Sequence, residues 1–314
     1  MDDVPAQLNP EFAALLPRLG DLIAPPAREV GLDRARARFS ELLSAGLAGA
    51  PAVPAEDVVL GDGLTGRVYR PAGAGSATVV FLHGGGWTVG SVADYDGLAR
   101  RISDRLAAVV LSVEYRRAPE HPFPAAVDDA LAATRWALGR AAELGGDPQR
   151  VAVAGDSGGG NLAAVVCQLL RDAGGPQPAA QLLLYPNVAR GGDQPSVRAF
   201  GRVPFLTLSD MAWYTRGYVP AGTDLGDPRI SPAEGDLTGL PPALVATAGV
   251  DPLRDSGAAY AEALRAAGGT ADWLDLPDLP HGFAHLVALA PAAAAGLAAV
   301  LDRAAVLLNG TASG

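Results

Sequence analysis

The chain has 314 residues, 34 acidic and 24 basic, for a formal net charge of −10 and a sequence pI near 4.8. At 49% apolar and 18% charged it suits a folded globular protein, of two domains or one large α/β domain with an insertion, and is too apolar to be disordered. The acidic balance argues against nucleic acid or an anionic membrane as partner, the absence of lysine excludes P-loop and Schiff-base chemistry, and the single cysteine excludes intramolecular disulfides and multi-cysteine zinc sites.

Residues 1–50 read as helical. Phe12, Leu15, Leu16 and Leu19 share one face, interrupted at Pro17, and Phe39, Leu42, Leu43 and Leu47 share another. The acidic start, Asp2 and Asp3, lacks the charged-then-apolar pattern of a secretory leader, so a cytoplasmic protein is expected. Proline and glycine around 49–54 mark a boundary. Gly61-Asp62-Gly63 matches the start of a dinucleotide fingerprint but precedes a strand, and reads as a hairpin turn.

From residue 67, strands and helices alternate. Strands are expected at 67–70 (an antiparallel edge), 77–83, 108–114, 150–155, 181–185, 243–249 and 272–276. Runs such as Val79, Val80, Phe81 and Leu82 suit strands buried on both faces of a parallel sheet. Helices are expected at 95–106, 125–144, 159–173, 257–267 and after Phe283, with Cys167 a small buried hydrophobe in the third. The alternation predicts an α/β, mostly parallel, doubly wound sheet. Residues 187–240 break it, holding one helix at 208–219. This insertion and segment 1–50 would cap the carboxyl ends of the strands, leaving 51–314 as the main domain. The uncharged run 283–301 approaches the ~20 residues that cross a bilayer. It contains Pro291 and His285, placed inside the final helix, and continues into Asp302 and Arg303, so a buried helix is expected there instead of a span.

Two glycine motifs carry the chemistry. Gly155-Asp156-Ser157-Gly158-Gly159 fits the nucleophile elbow G-x-S-x-G. With 39 Gly and 12 Ser the pattern arises by chance about 0.2 times per chain, so it is weak alone. Its place between a strand and a helix is the setting an elbow requires. A plain glycine-rich turn is the competing reading, and a dinucleotide match at Gly158–Ala163 finds no acidic residue closing a second strand. His83-Gly84-Gly85-Gly86 is expected by chance only about 0.01 times and closes a strand where an oxyanion-hole loop belongs. Two N–H groups from Gly84, Gly85 and Gly86, with that of Gly158, would stabilise a tetrahedral oxyanion.

A serine nucleophile needs a base and an orienting acid, in chain order Ser, Asp or Glu, His on such sheets. His281 follows the strand at 272–276, and Asp251 follows that at 243–249. Asp255, one turn further on, is the rival acid, and Asp278 stands too close to His281 in sequence. His121, in a proline-rich turn, reads as structural. Trp87 lines a substrate pocket or packs the cap.

These segments, with Tyr115-Arg-Arg-Ala-Pro-Glu-His-Pro-Phe-Pro-Ala-Ala126, Tyr185-Pro186, Asp251-Pro-Leu-Arg-Asp255 and His281-Gly-Phe283, resemble the hormone-sensitive-lipase-like, or family IV bacterial, carboxylesterases from about Ala77 to His281. The resemblance implies an α/β-hydrolase fold with an N-terminal helical cap. It also implies a triad of Ser157, Asp251 and His281 and an oxyanion hole at the glycines after His83 and at Gly158. The family usually carries Ala where this chain has Gly158. The implied activity is hydrolysis of short- to medium-chain acyl esters, with a small-molecule ester as partner, no metal or organic cofactor, and a monomer or homodimer as the assembly. A hydrolase-fold binding protein without catalysis, and an amidase or lactonase on the same triad, are the alternatives.

Overall fold

The computed structural model describes residues 5–23, 26–73, 77–189 and 191–310. Helices α1 (Pro10–Leu19), α2 (Ala27–Val30) and α3 (Leu32–Gly46) come first, followed by the hairpin β1 (Ala55–Gly61) and β2 (Leu64–Tyr69). Then come β3 (Thr78–Leu82), α4 (Asp96–Leu106), β4 (Val109–Glu114), α5 (Ala125–Arg140), β5 (Val151–Asp156), α6 (Gly158–Asp172) and β6 (Ala180–Leu184). The insertion carries α7 (Pro195–Phe200) and α8 (Leu208–Tyr218), and the chain closes with β7 (Ala243–Val250), α9 (Arg254–Ala266), β8 (Ala271–Pro280) and α10 (Pro291–Gly310).

Among the described residues eight strands form one sheet in the order β1-β2-β4-β3-β5-β6-β7-β8. β1 and β2 pair antiparallel, as do β2 and β4, and the other five pairings are parallel. Strand side chains alternate between the two faces. Val79 and Phe81 of β3 enter one core with α1, α3, α4 and α10, while Val80 and Leu82 enter the other with α5, α6 and α9. This two-sided burial is why the central strands are continuous apolar runs. The chain is thus an α/β, mostly parallel, doubly wound protein.

Three local expectations need correction. α1 runs through Pro17 instead of breaking there. The proline removes one N–H near the helix end, whereas Phe12, Leu15 and Leu19, at most 5% exposed, hold the helix on the core. β1, absent from the expected strands, pairs Ala55 to Tyr69 through Gly61 to Leu64, around Asp62 and Gly63. Its residues are mostly exposed, so no buried face marks it in the sequence. His285 does not belong to the final helix. It ends a short 3-10 turn, Phe283–His285, and α10 begins only at Pro291. α10 is long and apolar enough to cross a membrane by length and composition. Here Leu297, Val300, Leu301 and Leu308 pack in the core, and Asp302 and Arg303 pair with Arg105 and Asp272.

α3 is fixed against the His285 turn at its C-terminal end. Gly46 O accepts the Ala288 N–H at 2.8 Å, and a Cβ on Gly46 would overlap the His285 carbonyl oxygen. Gly46→Ala should therefore lower unfolding stability by about 1–3 kcal/mol, the usual effect of overpacking against backbone, read from chemical denaturation.

Candidate active site

The elbow forms where β5 meets α6. Ser157 sits at φ 51°, ψ −116°, a conformation L-residues rarely adopt. Its N–H donates to Leu184 O at 2.9 Å, and its carbonyl accepts the Asn161 and Asn187 N–H groups at 3.0 and 3.2 Å. Close packing enforces the turn. A Cβ on Gly155 would overlap Gly159, and one on Gly159 would overlap the Leu82 carbonyl oxygen, so α6 crosses directly over the end of β3.

Ser157, His281 and Asp251 converge from three strand ends. His281 Nδ1 lies 2.7 Å from Asp251 Oδ2, and His281 Nε2 lies 3.0 Å from Ser157 Oγ. A carboxylate only accepts, so Nδ1 carries the proton and Nε2 accepts from the hydroxyl. Asp251 is fully buried, and its other oxygen accepts the Leu253 N–H at 2.8 Å. The Tyr185 ring packs edge-on against His281 at 4.9 Å between centroids. Neither rival acid reaches the histidine. Asp255 accepts the Ser196 N–H at 2.8 Å, tying α7 to α9, and Asp278 accepts from Asn9 Nδ2 at 2.6 Å beside the start of α1. His121 is exposed in its turn.

The glycine loop does not act as one set of donors. Gly85 and Gly86 line the cavity beside Ser157 and Gly158, and among the described residues no acceptor takes their N–H groups. Gly84 is different, and its place in the expected donor set must be corrected. Its N–H already donates to Asp156 Oδ1 at 2.7 Å. Gly84 is absent from the cavity lining, which Gly85, Gly86 and Gly158 share with Ser157. His83 is buried and stacks on Tyr115 at 4.2 Å, with Nδ1 2.8 Å from Gly84 O. Burial lowers its pKa, so it is held neutral within the loop.

A cavity of about 140 Å³ opens above Ser157. Leu22, Phe39 and Leu42 line it from the N-terminal segment, and Phe205, Met211 and Tyr214 from the insertion. Trp87 lines the cavity and stacks on Tyr218 of α8 at 4.3 Å. Asn161 Nδ2 donates to Asn187 O and Ile230 O at 2.8 and 2.7 Å, fastening two points of the insertion to α6. Among the described residues no group of three His, Cys, Asp or Glu side chains could hold a metal ion.

Residues missed in the sequence form a second acid–histidine pair. Asp156 Oδ2 lies 2.9 Å from His285 Nε2 and accepts from Tyr95 Oη at 3.1 Å. No spacing connects residues 95, 156 and 285; the one available hint was an acidic residue buried at a strand end.

A nucleophile elbow on a mostly parallel sheet, with aspartate after β7 and histidine after β8, defines an α/β hydrolase. The chain belongs to that family: residues 79–285 match its alpha/beta hydrolase fold, in the hormone-sensitive-lipase-like branch. It is 44% identical over 275 residues to carboxylesterase NlhH of Mycobacterium tuberculosis, covering 84% of this chain and 86% of that one. It is 36% identical over 313 residues to an ethyl acetate hydrolase of Pseudomonas putida, covering 94% and 98%. A solved hyperthermophilic esterase from the archaeon Pyrobaculum calidifontis superposes with a TM-score of 0.87 at 37% identity, covering 96% and 98%.

The departure at Gly158 has a structural reading. A Cβ there would meet its nearest neighbours, in Gly86 and Trp87, at 3.4 Å, an ordinary contact, whereas one on Gly159 would strike backbone. Gly158→Ala should thus fold and gain about 0.4–1 kcal/mol by restricting the unfolded chain. Gly159→Ala should lose about 1–3 kcal/mol. Paired denaturant unfolding curves check both.

Proposed function

We propose that this chain is a serine carboxylesterase acting on short- to medium-chain acyl esters through an acyl-Ser157 intermediate. The observation that carries the reading is the unbroken hydrogen-bonded line Asp251–His281–Ser157 opening into a largely apolar cavity. The names of the relatives, carboxylesterase and ethyl acetate hydrolase, agree with it.

In this reading His281 Nε2 takes the hydroxyl proton as Ser157 Oγ bonds to the ester carbonyl carbon. The carbonyl π electrons move onto oxygen, and the N–H groups of Gly85, Gly86 and Gly158 receive that oxyanion. Asp251 fixes the histidine tautomer and stabilises the imidazolium. The tetrahedral adduct collapses, the C–O bond to the alcohol breaks, and His281 gives that alcohol its proton. A water deprotonated by His281 then attacks the acyl-Ser157 carbonyl, and the acid leaves as Ser157 is reprotonated. Residues 1–50 and 187–240 serve as the cap, with Trp87, Phe39 and Met211 shaping the pocket for the acyl or alcohol group.

Initial rates on p-nitrophenyl esters from acetate to laurate test the reading. The wild-type protein should turn over the shorter members, and Ser157→Ala should lower kcat by about 10⁴-fold or more. No turnover by folded wild-type protein would overturn the esterase reading, and turnover surviving in Ser157→Ala would displace the nucleophile.

A further inference from the structure

Asp156 and His285 are buried and take no part in the steps above. Asp156 is fully buried and receives converging donors from separate parts of the chain. Gly84 N–H reaches Oδ1 at 2.7 Å from the loop after β3. Tyr95 Oη reaches Oδ2 at 3.1 Å from the start of α4. His285 Nε2 stands 2.9 Å from Oδ2 and 3.0 Å from Tyr95 Oη. Burial pushes the Tyr95 hydroxyl well above its usual pKa, so it remains a donor. A Cβ on Gly84 would overlap the Asp156 carboxylate, so the loop and this side chain are fitted to each other. His285 also lines the cavity and meets the Phe39 ring of α3 edge-on at 5.8 Å.

We propose that Asp156 and His285 act as a positioning pair for the oxyanion loop: Asp156 Oδ1 anchors Gly84, which aims the Gly85 and Gly86 N–H groups at the reacting carbonyl, and His285 holds the carboxylate in place. The inference rests on the esterase reading. It assigns neither residue a proton transfer. The task requires an acceptor at Oδ1, and the charge of Asp156 is not what aims the loop. Asparagine can supply that acceptor, whereas leucine cannot and leaves the Gly84 N–H buried without its partner.

Two inhibitors read the oxyanion hole apart from general binding. An alkyl trifluoromethyl ketone adds Ser157 Oγ at its carbonyl and places an oxyanion in the hole. The matching alkyl methyl ketone fills the same pocket with little addition. Transition-state mimics report interactions made to the developing charge. The ratio of the two inhibition constants is independent of how much protein is folded. Asp156→Leu should lower kcat about 10–100-fold, with KM changed less than about threefold, and should weaken the trifluoromethyl ketone in parallel while sparing the methyl ketone. Asp156→Asn should restore both values to within about fivefold of wild type, and His285→Ala should shift the ratio by at least about threefold.

The proposal is overturned if folded Asp156→Leu keeps the wild-type ratio, or if Asp156→Asn is as damaging as Asp156→Leu. If Asp156→Leu does not fold, an unchanged ratio in His285→Ala overturns it and the shifted ratio supports it. A wild-type protein that neither turns over esters nor binds the trifluoromethyl ketone fails at the earlier step, which separates the fate of the esterase reading from that of the positioning pair.

Discussion

The crossing of α6 over the end of β3 is the contact on which the rest of the site depends. It has room for glycine alone at 155 and 159, and it forces Ser157 into a backbone conformation with positive φ. Such a conformation costs on the order of 1–3 kcal/mol and persists only where the surroundings over-determine it. Here they do. The Ser157 amide is tied to β6, its carbonyl receives two N–H groups, and β5 is paired on both sides by parallel neighbours. Burial of the sheet thus supplies the stability that holds a strained serine at its edge.

The same sheet explains how residues far apart in sequence meet. Parallel strands all end at one edge, so the loops after β3, β5, β7 and β8 open side by side. Those four loops bring the glycines, the serine, Asp251 and His281 together across separations of up to 124 residues between hydrogen-bonded partners. The insertion and the N-terminal helices add apolar walls. They are fastened at a few polar points, among them Asn161 to Asn187 and Ile230, and Asp255 to Ser196.

What could be read in the sequence follows from that division. Central strands show as apolar runs because both faces are buried, and the serine and glycine motifs show because close approach admits few residue types. The β1 strand leaves no such trace, since an exposed edge strand imposes no pattern. Pro17 reads as a break because a local rule sees the missing N–H and not the three buried side chains beside it. The glycine loop reveals how many donors exist but not that Asp156 holds one of them. Phe283–His285 looked continuous with the last helix because an apolar run carries no mark of where a 3-10 turn stops. The Gly84–Asp156 bond spans 72 residues, outside the reach of any local pattern.

The two acid–histidine pairs differ in a way that suits different tasks. His281 faces Ser157 with an accepting nitrogen, and Asp251 touches the ring on its far side, so a proton gained at Nε2 can be balanced through Nδ1. His285 presents the opposite arrangement. Its Nε2 is the nitrogen facing a carboxylate, and that carboxylate is already gripped by a backbone amide and a tyrosine hydroxyl. The first pair presents an accepting nitrogen to Ser157, whereas the second turns its Nε2 to the Asp156 carboxylate and the Tyr95 hydroxyl. What the second pair keeps is rigidity: one carboxylate joins the elbow, the glycine loop, α4 and the turn that also carries His281. An oxyanion hole works only if its donors are aimed before the charge develops, since donors that must reorient lose much of their effect. In the proposed arrangement, placing the anchor of that loop on the residue next to Ser157 ties the aim of the donors to the position of the attacking oxygen.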